Sequence, residues 1–520
     1  MNSNKLRFWC MLAAGTALSF ASPTVATQAS AESNAAQPSP TATDAALRAL
    51  ATDPEVQRFY AHIGWRLAWT DASVQALKDA IAQRAAHGLE RLQFLPEPIP
   101  AEAPPERDVA LTRAALRYAR ALAMGVVDPK SLHAVYTLPR PGPDLVEGLA
   151  KALDHRDLQH WLTGLAPGDA DYARLSQAYR AALAEQRTQS GRAATIAAAG
   201  LIRPGDRDDQ VPAIAKQLAA EGYLLGPVAG QPEAAAPGSL YTNDIADAVR
   251  SLQRDYGLAE DGVIGPRTVE VLNLGPADRA RALAVAMERL RWLDRTSPAT
   301  RIDVNIAAAR LTYYRDGVAV DTRKVIVGKP GRETPLLSSP IYRLVANPTW
   351  TIPKSIENTE LAHVGPDYLA SHNMVRRGGY IVQQPGPDNA LGMVKFDMVN
   401  DQTIYLHDTS APGLFERSQR HLSHGCVRVE DALGFAQRIA EDEGVADRWQ
   451  AASASGEQSF VPLPVRIQVR LLYQNAFVDE TGRVTVRTDP YDWNGPVARA
   501  LGFDDGAHTT TKADAIDIGP

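Results

Sequence analysis

Apolar positions in the first part of the chain recur at helical spacing. Leu111, Ala115, Tyr118 and Leu122 lie three or four residues apart, which gives one face of a helix an apolar character. The same alanine- and leucine-rich pattern extends over residues 44–195. It predicts a helical domain, and because this region holds no constellation of catalytic side chains, we expect it to serve as a scaffold.

A second helical region follows at residues 196–275. Its apolar periodicity predicts three short helices, within 210–224, 242–258 and 260–273. Ile245, Val249 and Leu252 form the expected buried face of the second helix. We predict a separate small module here, followed by an amphipathic connecting helix over 280–292.

Beyond the connecting helix the apolar pattern changes from helical to alternating. Ile302, Val304 and Ile306 alternate with polar residues, so they share one face of a strand. Asp316 and Gly317 are typical of the tight turn between two antiparallel strands. The sequence therefore predicts β structure in this part of the chain.

The alternating segments predict a mostly β domain with inserted loops over residues 295–500, so the chain as a whole is α+β and multidomain. The glycine- and proline-rich stretch 376–392 is expected to form a mobile loop over a cleft. A strand is predicted at 403–408, and further strands within 463–491 close the domain. Residues 504–520 are expected to be disordered.

Length and charge narrow the classes of function. A chain of 520 residues is too long for one hydrophobic core, which agrees with several domains. With 45% hydrophobic and 22% charged residues, its composition is that of a soluble protein. The formal net charge is −6, whereas nucleic-acid-binding proteins usually present a basic surface. We predict no nucleic-acid partner.

The N-terminus has the features of an export signal. Lys5 and Arg7 precede an apolar run at 8–21, and the small residues 29–31 supply a cleavage site. The run is shorter than the roughly 18 residues that span a bilayer. We predict a signal peptide over residues 1–31, with an uncleaved membrane anchor as the alternative.

Cysteine usage directs attention to one residue. The chain has two cysteines, and cleavage of the signal would remove Cys10 and leave Cys426 alone. An exported protein with a single cysteine forms no internal disulfide. The Cys426 thiol is therefore either buried and inert or kept for its reactivity.

The segment HLSHGCVRVED around Cys426 contains the groups that a nucleophile needs. A free cysteine has a pKa of about 8.5, so it requires a base or a positive charge nearby. His424 in the same segment and His407 at the end of an earlier strand are the candidate bases, and Arg428 offers a positive charge. Gly425 frees the backbone beside the thiol, where amide N–H groups can stabilise an oxyanion.

A zinc site is the competing interpretation of the same residues. His407, His421, His424 and Cys426 are all ligand types that zinc accepts. Their spacing is not that of a familiar zinc site, and the chain contains no HExxH motif. We therefore predict neither a metal nor a cofactor.

Several segments resemble the L,D-transpeptidases. IYLHDT at 404–409 and LSHGCVRVED at 422–431 resemble the active-site signature of that family, and three further segments resemble its strands and cleft: 325–341, 347–353 and 390–398. AVRSLQRDYGLAEDGVIGPRTVEVLN, in the second helical region, resembles a three-helix peptidoglycan-binding module. The order of export signal, scaffold, module and catalytic domain is similar to that of large periplasmic members from Gram-negative bacteria.

The resemblance implies an L,D-transpeptidase-like β-sandwich and a cysteine thioester mechanism. Cys426 would attack the amide between the third and fourth residues of a peptidoglycan tetrapeptide stem and release D-alanine. The side-chain amine of a second stem would then resolve the thioester into a 3→3 cross-link. By the same resemblance His407 is the general base, His424 an auxiliary group and Arg428 the motif arginine, while Gly425 shapes the loop.

The resemblance also implies partners and a location. We expect donor and acceptor stem peptides as partners, together with other cell-wall synthesis proteins, in the periplasm, and a carbapenem adduct on Cys426. Lipoprotein attachment, D-amino-acid exchange and L,D-carboxypeptidase hydrolysis would use the same thioester. A non-catalytic cell-wall binding protein is a more distant alternative. His421 has no counterpart in the family motif, and we expect it at the surface.

Overall fold

The computed structural model describes most of the chain outside its two ends. The described residues are 41–99, 104–188, 195–197, 200–224, 239–479 and 481–504. The predicted signal peptide at 1–31 lies outside them, as does the predicted disordered tail apart from Asp504. Across the described residues, no helix combines the length and apolar composition needed to cross a bilayer.

The scaffold region is helical, as predicted. Its helices are α1 (Ala42–Leu50), α2 (Pro54–His62), α3 (Asp71–Ala82), α4 (Pro104–Met124), α5 (Pro129–Leu132), α6 (Leu145–Asp154), α7 (Leu158–Gly164) and α8 (Ala170–Thr188). The predicted apolar face of α4 is confirmed, because Leu111, Ala115, Tyr118 and Leu122 are all buried. Helix α4 begins at Pro104, where the missing N–H of proline costs no intrahelical bond.

The three-helix module is also confirmed. It consists of α9 (Val211–Ala220), α10 (Asn243–Tyr256) and α11 (Pro266–Leu272). Thr242 caps α10 by accepting the Ile245 N–H at 3.5 Å, and Gly257 ends it with a φ of +70°. Ile245, Val249 and Leu252 lie in a hydrophobic core that belongs to the module itself.

The connecting helix α12 (Pro276–Arg291) joins the scaffold to the β domain. On one side the Glu288 carboxylate accepts the Val126 N–H at 2.6 Å and pairs with Arg291 at 2.6 Å, with both charged side chains fully buried. On the other side Arg289 donates to Asn494 Oδ1, near the C-terminus, at 2.6 Å. Buried charges of this kind are stable only with partners, so α12 fixes the two domains together.

The β domain and its inserted segments contain fourteen strands among the described residues. They are β1 (Arg301–Asn305), β2 (Arg310–Arg315), β3 (Val318–Gly328), β4 (Ser338–Ala346), β5 (Trp350–Thr351), β6 (Met374–Arg377), β7 (Tyr380–Gln383), β8 (Val394–Met398), β9 (Leu406–His407), β10 (His421–Ser423), β11 (Val427–Val429), β12 (Ser459–Leu472), β13 (Ala476–Val478) and β14 (Val484–Val486). The accompanying helices are α13 (Lys354–Glu357), α14 (Pro366–Ser371), α15 (Ala432–Asp442), α16 (Ala446–Ala454) and α17 (Asn494–Ala500).

Nine of these strands form one mixed sheet in the order β10-β3-β11-β9-β8-β4-β12-β1-β2, and a further pairing between β2 and β3 closes the sheet on itself. The predicted hairpin turn is present, with positive φ at Asp316 and Gly317. The predicted inward faces are also present, since Ile302, Val304 and Ile306 are fully buried. The predicted α+β multidomain class is thereby confirmed.

Residues 350–391 form an inserted subdomain, called the lid below. It contains the small sheet β5-β7-β6, helices α13 and α14, and its own apolar core. The prediction of a mobile loop at 376–392 is wrong, because this stretch contains most of the β6–β7 hairpin and a packed turn. Ile381 is fully buried, and the buried Asn389 side chain donates to the Pro348 carbonyl oxygen at 3.1 Å.

The scaffold and the β sheet share one continuous hydrophobic core. Buried residues such as Leu122 of α4, Met287 of α12 and Val304 of β1 belong to the same cluster. The module keeps a separate core, and Val486 of β14 packs against both. The scaffold and β domain are therefore joined by apolar packing, whereas the module is attached over a smaller apolar contact.

Candidate active site

Parallel pairing of β9 with β11 brings together the segments that carry the predicted catalytic residues His407, Cys426 and Arg428. Arg428 is in register with His407, and the Val427 N–H donates to the Tyr405 carbonyl oxygen at 3.1 Å. Residues in register on parallel strands face the same side, as do residues two apart on one strand. His407 and Arg428 therefore share a face, while Tyr405 and Cys426 directly precede the two paired strands and form a side-chain hydrogen bond with each other.

The Cys426 thiol is almost buried and sits among polar groups. Its side chain is 8% exposed, and Sγ lies 3.7 Å from the Thr403 carbonyl oxygen. Burial raises the pKa of the thiol, while the hydrogen-bonding groups of Tyr405 and the positive charges of Lys395 and Arg428 lower it by less. The resting residue is therefore a neutral thiol with a polar surrounding.

His407 is fully buried, and neither of its ring nitrogens makes a well-formed hydrogen bond. Burial holds the pKa of the imidazole well below its usual range, and the nearby positive charge of Arg428 lowers it further. Its ring lies 5.6 Å from the Tyr405 ring, between centroids. A neutral imidazole with an available nitrogen is the state that a general base requires.

The loop before Cys426 is held by short hydrogen bonds. Ser423 Oγ donates to the Cys426 carbonyl oxygen at 2.6 Å and accepts the Gly425 N–H at 3.1 Å. Thr334 Oγ1 donates to the Gly425 carbonyl oxygen at 2.8 Å. Gly425 has a φ of +119°, a conformation that side-chain-bearing residues rarely adopt. The loop is thus fixed both by hydrogen bonds and by the conformational freedom of glycine.

His424 connects the cysteine loop to the lid. Its Nε2 lies 2.5 Å from Oε1 of Glu360, and the two side chains are 9% and 25% exposed. Tyr405 makes a second connection, because it packs against both the lid core and the main core. The lid therefore contacts the segment that leads into the His407 strand and the loop that carries Cys426.

The expectation that His421 lies at the surface is wrong. Its side chain is 5% exposed, Nε2 lies 2.9 Å from the Ile306 carbonyl oxygen, and its ring packs against Tyr491. Burial lowers the pKa of His421 to about 4. The residue opens β10, and the pairing of β10 with β3 draws it inside the domain. His421 and His424 thus have separate partners, Ile306 and Glu360.

Three contributors to this site were missed at the level of sequence. Tyr405 had a usable signal, because it precedes His407 by two residues on an alternating strand and must share its face. Thr334 and Glu360 had none, since each reaches the cysteine loop only through tertiary folding. Within the described residues, no three histidine, cysteine, aspartate or glutamate side chains form a group that could hold a metal ion.

Family comparisons agree with this architecture. Residues 299–459 match a family model described as "L,D-transpeptidase catalytic domain". Residues 54–178 match one described as "Scaffold domain", and residues 207–272 match a "Putative peptidoglycan binding domain". These three matches fall on the β domain, the helical scaffold and the three-helix module, respectively.

Individual proteins match parts of the chain. A "Putative L,D-transpeptidase" of Haemophilus influenzae is 34% identical over 217 residues, which cover 37% of this chain and 44% of the relative. "N-acetylmuramoyl-L-alanine amidase CwlL" of Bacillus licheniformis is 38% identical over 72 residues, 14% of this chain and 18% of that protein. The chain thus spans less than half the length of either curated relative.

Solved structures of L,D-transpeptidases are also similar. One from Xylanimonas cellulosilytica is 17% identical, covers 53% of this chain and 99% of its own, and has a TM-score of 0.19. One from Stackebrandtia nassauensis is 12% identical, covers 52% and 94%, and has a TM-score of 0.23. At such TM-scores these likenesses carry no argument. By these family matches, residues 299–459 are similar to L,D-transpeptidase catalytic domains, and they follow segments similar to a scaffold domain and to a peptidoglycan-binding domain.

Proposed function

We propose that the protein is a cysteine-dependent L,D-transpeptidase that forms 3→3 cross-links in peptidoglycan. One observation carries the proposal: the β9–β11 register pairs Arg428 with His407, and Cys426 lies directly before β11, where the charge of Arg428 reaches its thiol. An inert structural cysteine would need no neutral base and no buried arginine next to it. The catalytic-domain match over residues 299–459 supports the same reaction class.

The first half of the reaction is acylation of the thiol. His407 accepts the Cys426 proton as Sγ bonds to the carbonyl carbon between the third and fourth residues of a donor stem. The tetrahedral intermediate collapses when the carbon–nitrogen bond breaks, and the leaving D-alanine amine takes the proton from His407. The product is a thioester between Cys426 and the shortened stem.

The second half transfers the acyl group to an amine. The side-chain amine of an acceptor stem attacks the thioester carbon and passes a proton to His407, and the thiol leaves and recovers its proton. Water would give hydrolysis by the same route, so exclusion of water and placement of the acceptor decide the product. The lid is positioned to supply both, because it contacts Tyr405 and His424 beside the thiol.

Backbone amides of the cysteine loop are the proposed oxyanion site. The Gly425 N–H already donates to Ser423 Oγ at 3.1 Å, so we assign the main role to the Cys426 amide and a supporting role to Gly425. Arg428, which is 2% exposed, supplies a fixed positive charge near the developing anion. His424 acts as the auxiliary residue by holding the lid through Glu360.

Stem-to-stem cross-linking is favoured over the other uses of the thioester. Lipoprotein attachment, D-amino-acid exchange and L,D-carboxypeptidase hydrolysis share the first half of the reaction. A peptidoglycan-binding domain at residues 207–272 would keep the enzyme on polymer that carries both donor and acceptor stems. The proposed location is accordingly the periplasm, reached through the predicted signal at residues 1–31.

Product analysis tests this proposal. The purified protein is incubated with disaccharide tetrapeptides, and the products are separated and identified by mass spectrometry. We expect 3→3 dimers and free D-alanine, and loss of both with Cys426→Ala, which removes the nucleophile. Tripeptides without dimers would indicate a carboxypeptidase. If the wild type forms no product and binds sacculi as well as Cys426→Ala does, the protein is a non-catalytic cell-wall protein.

A further inference from the structure

A groove of about 410 Å³ runs between the peptidoglycan-binding module and the catalytic sheet. The C-terminal end of α10, with Arg254 and Gly257, forms one wall, and β2 with Arg310 forms part of the other. Gln419 Nε2 donates to the Gly257 carbonyl oxygen at 2.7 Å and so joins the two walls. Anything bound in this groove touches both domains at once.

Positive charge dominates the lining of the groove. The cationic residues are Arg254, Arg310, Arg323, Lys324, Arg420 and Arg487, against the two carboxylates Glu260 and Glu430. Three of the cations form ion pairs: Arg254 with Glu260 at 3.0 Å, Arg323 with Asp431 at 2.8 Å and Lys324 with Glu430 at 3.4 Å. The charge of the remaining three arginines is not cancelled in this way.

Arg310, Arg420 and Arg487 make no ion pair with a carboxylate of the described residues. Arg420 donates to backbone carbonyl oxygens, including Val325 at 3.2 Å, and Arg487 donates to the Arg254 carbonyl oxygen at 2.6 Å. Carbonyl groups satisfy these N–H donors but leave the net charge in place.

The guanidinium group of Arg487 is also repelled by a second arginine of the groove and repels the third. Burial lowers the pKa of both Arg420 and Arg487. The charge of Arg487 lowers the pKa of Arg420 further, and the charge of Arg310 lowers the pKa of Arg487. The charge of Asp255 raises the pKa of Arg487 by more than Arg310 lowers it, and Glu430 and Glu416 raise the pKa of Arg420. A bound anion would relieve this repulsion, and the exposed guanidinium of Arg310 offers the planar fork that matches a carboxylate.

We propose that this arginine groove binds carboxylate groups of a peptidoglycan stem peptide and anchors the polymer between the module and the catalytic domain. The inference rests on the proposed function. A ligand shared by a peptidoglycan-binding domain and an L,D-transpeptidase domain is peptidoglycan itself, and the carboxylates of its stem peptides are anionic groups that such a groove can bind. The anchored stem is not the one that reacts at Cys426.

Binding of the full chain to purified sacculi tests the groove. Arg310 is exposed and its side chain makes no hydrogen bond or ion pair with the described residues, so Arg310→Glu leaves the fold intact. We expect this variant to bind sacculi about tenfold more weakly at low salt, and Arg310→Lys to retain binding. Arg466→Glu makes the same charge change at an exposed position of β12 and serves as the matched control, with an effect below about twofold.

A second set of binding measurements uses sacculi whose chemistry has been altered. Converting its carboxylates to amides should weaken wild-type binding to the level of Arg310→Glu. Binding that survives amidation but is lost when phosphate polymers are removed would overturn the carboxylate assignment. Equal binding by Arg310→Glu and Arg466→Glu would overturn the groove itself.

Acylation of Cys426 by a soluble tetrapeptide separates this proposal from the proposed function. Arg310→Glu should acylate at the wild-type rate, because the groove holds a stem that does not react. A large loss of acylation in this variant would contradict an anchoring role. Failure of the wild type to acylate would instead count against the transpeptidase reaction and leave the binding result to stand.

Discussion

At the scale of single residues, burial sets the protonation of the proposed catalytic pair, Cys426 and His407. The same effect raises the pKa of Cys426 and lowers the pKa of His407, so both groups are neutral in the resting site. In the proposed reaction the proton therefore moves only when the sulfur attacks a carbonyl carbon. This differs from a preformed thiolate and imidazolium pair, which would react with any electrophile that entered the site.

The pH dependence of alkylation at Cys426 reports this protonation state. The thiolate fraction rises with pH, and a raised pKa moves that rise to higher pH. The alkylation rate at Cys426 is measured against pH by peptide mass spectrometry. We expect the pH of half-maximal rate to be higher in the folded protein than in the urea-unfolded chain. A midpoint below that of the unfolded chain would show a thiolate–imidazolium pair and contradict the neutral site.

At the scale of secondary-structure elements, the lid and the cysteine loop are coupled through one polar contact. Glu360 lies between α13 and α14 of the lid, and His424 precedes Cys426 by two residues. The lid has its own apolar core, so it can move as a unit when this contact is lost. We therefore interpret the pair as a tether that holds the lid near the thiol.

Loss of the tether should open the site to large reagents. We expect Glu360→Ala to increase the rate at which a bulky maleimide modifies Cys426 by about threefold to tenfold, since one charged hydrogen bond contributes on the order of 1 kcal/mol. Asp367→Asn, at an exposed position of α14, is the control. Equal maleimide rates in both variants would show that the Glu360–His424 contact does not hold the lid.

The sequence predicted correctly those helices, strands and turns whose structure depends on the local pattern of residues. The apolar faces of α4, α10 and β1, and the Asp316–Gly317 turn, are determined by spacing and turn chemistry, and all are confirmed. The lid hairpin and the burial of His421 depend on what packs against them. Glycine and proline at 376–392 suggested a loop, yet buried Ile381 and Asn389 order that stretch, which no local pattern reveals.

At the scale of the whole molecule, the scaffold and the β domain form one packed body. Their cores are continuous, and α12 adds the buried Glu288–Arg291 pair on the scaffold side. The module has a separate core. This division suggests that the scaffold stabilises the catalytic sheet directly, while the module is attached to it by polar contacts such as Gln419 with Gly257.

Thermal unfolding tests this division. We expect one calorimetric transition for the scaffold and β domain together and a separate one for the module. Glu288→Gln leaves Arg291 buried without its ion-pair partner and should lower the stability of the joint transition by about 3 kcal/mol. Glu270→Gln, exposed on the module helix α11, should leave the joint transition unchanged. Separate transitions for scaffold and β domain would contradict a shared core.

The central claim is that Cys426 carries the acyl group with His407 as its base. Intact-mass analysis of the protein mixed with a tetrapeptide donor tests it most directly, with peptide mapping to locate the adduct. We predict a mass increase equal to the donor minus D-alanine, located on Cys426, and formed about a hundredfold or more slowly in His407→Gln. An adduct on another residue, or equal rates in His407→Gln and the wild type, would contradict the account.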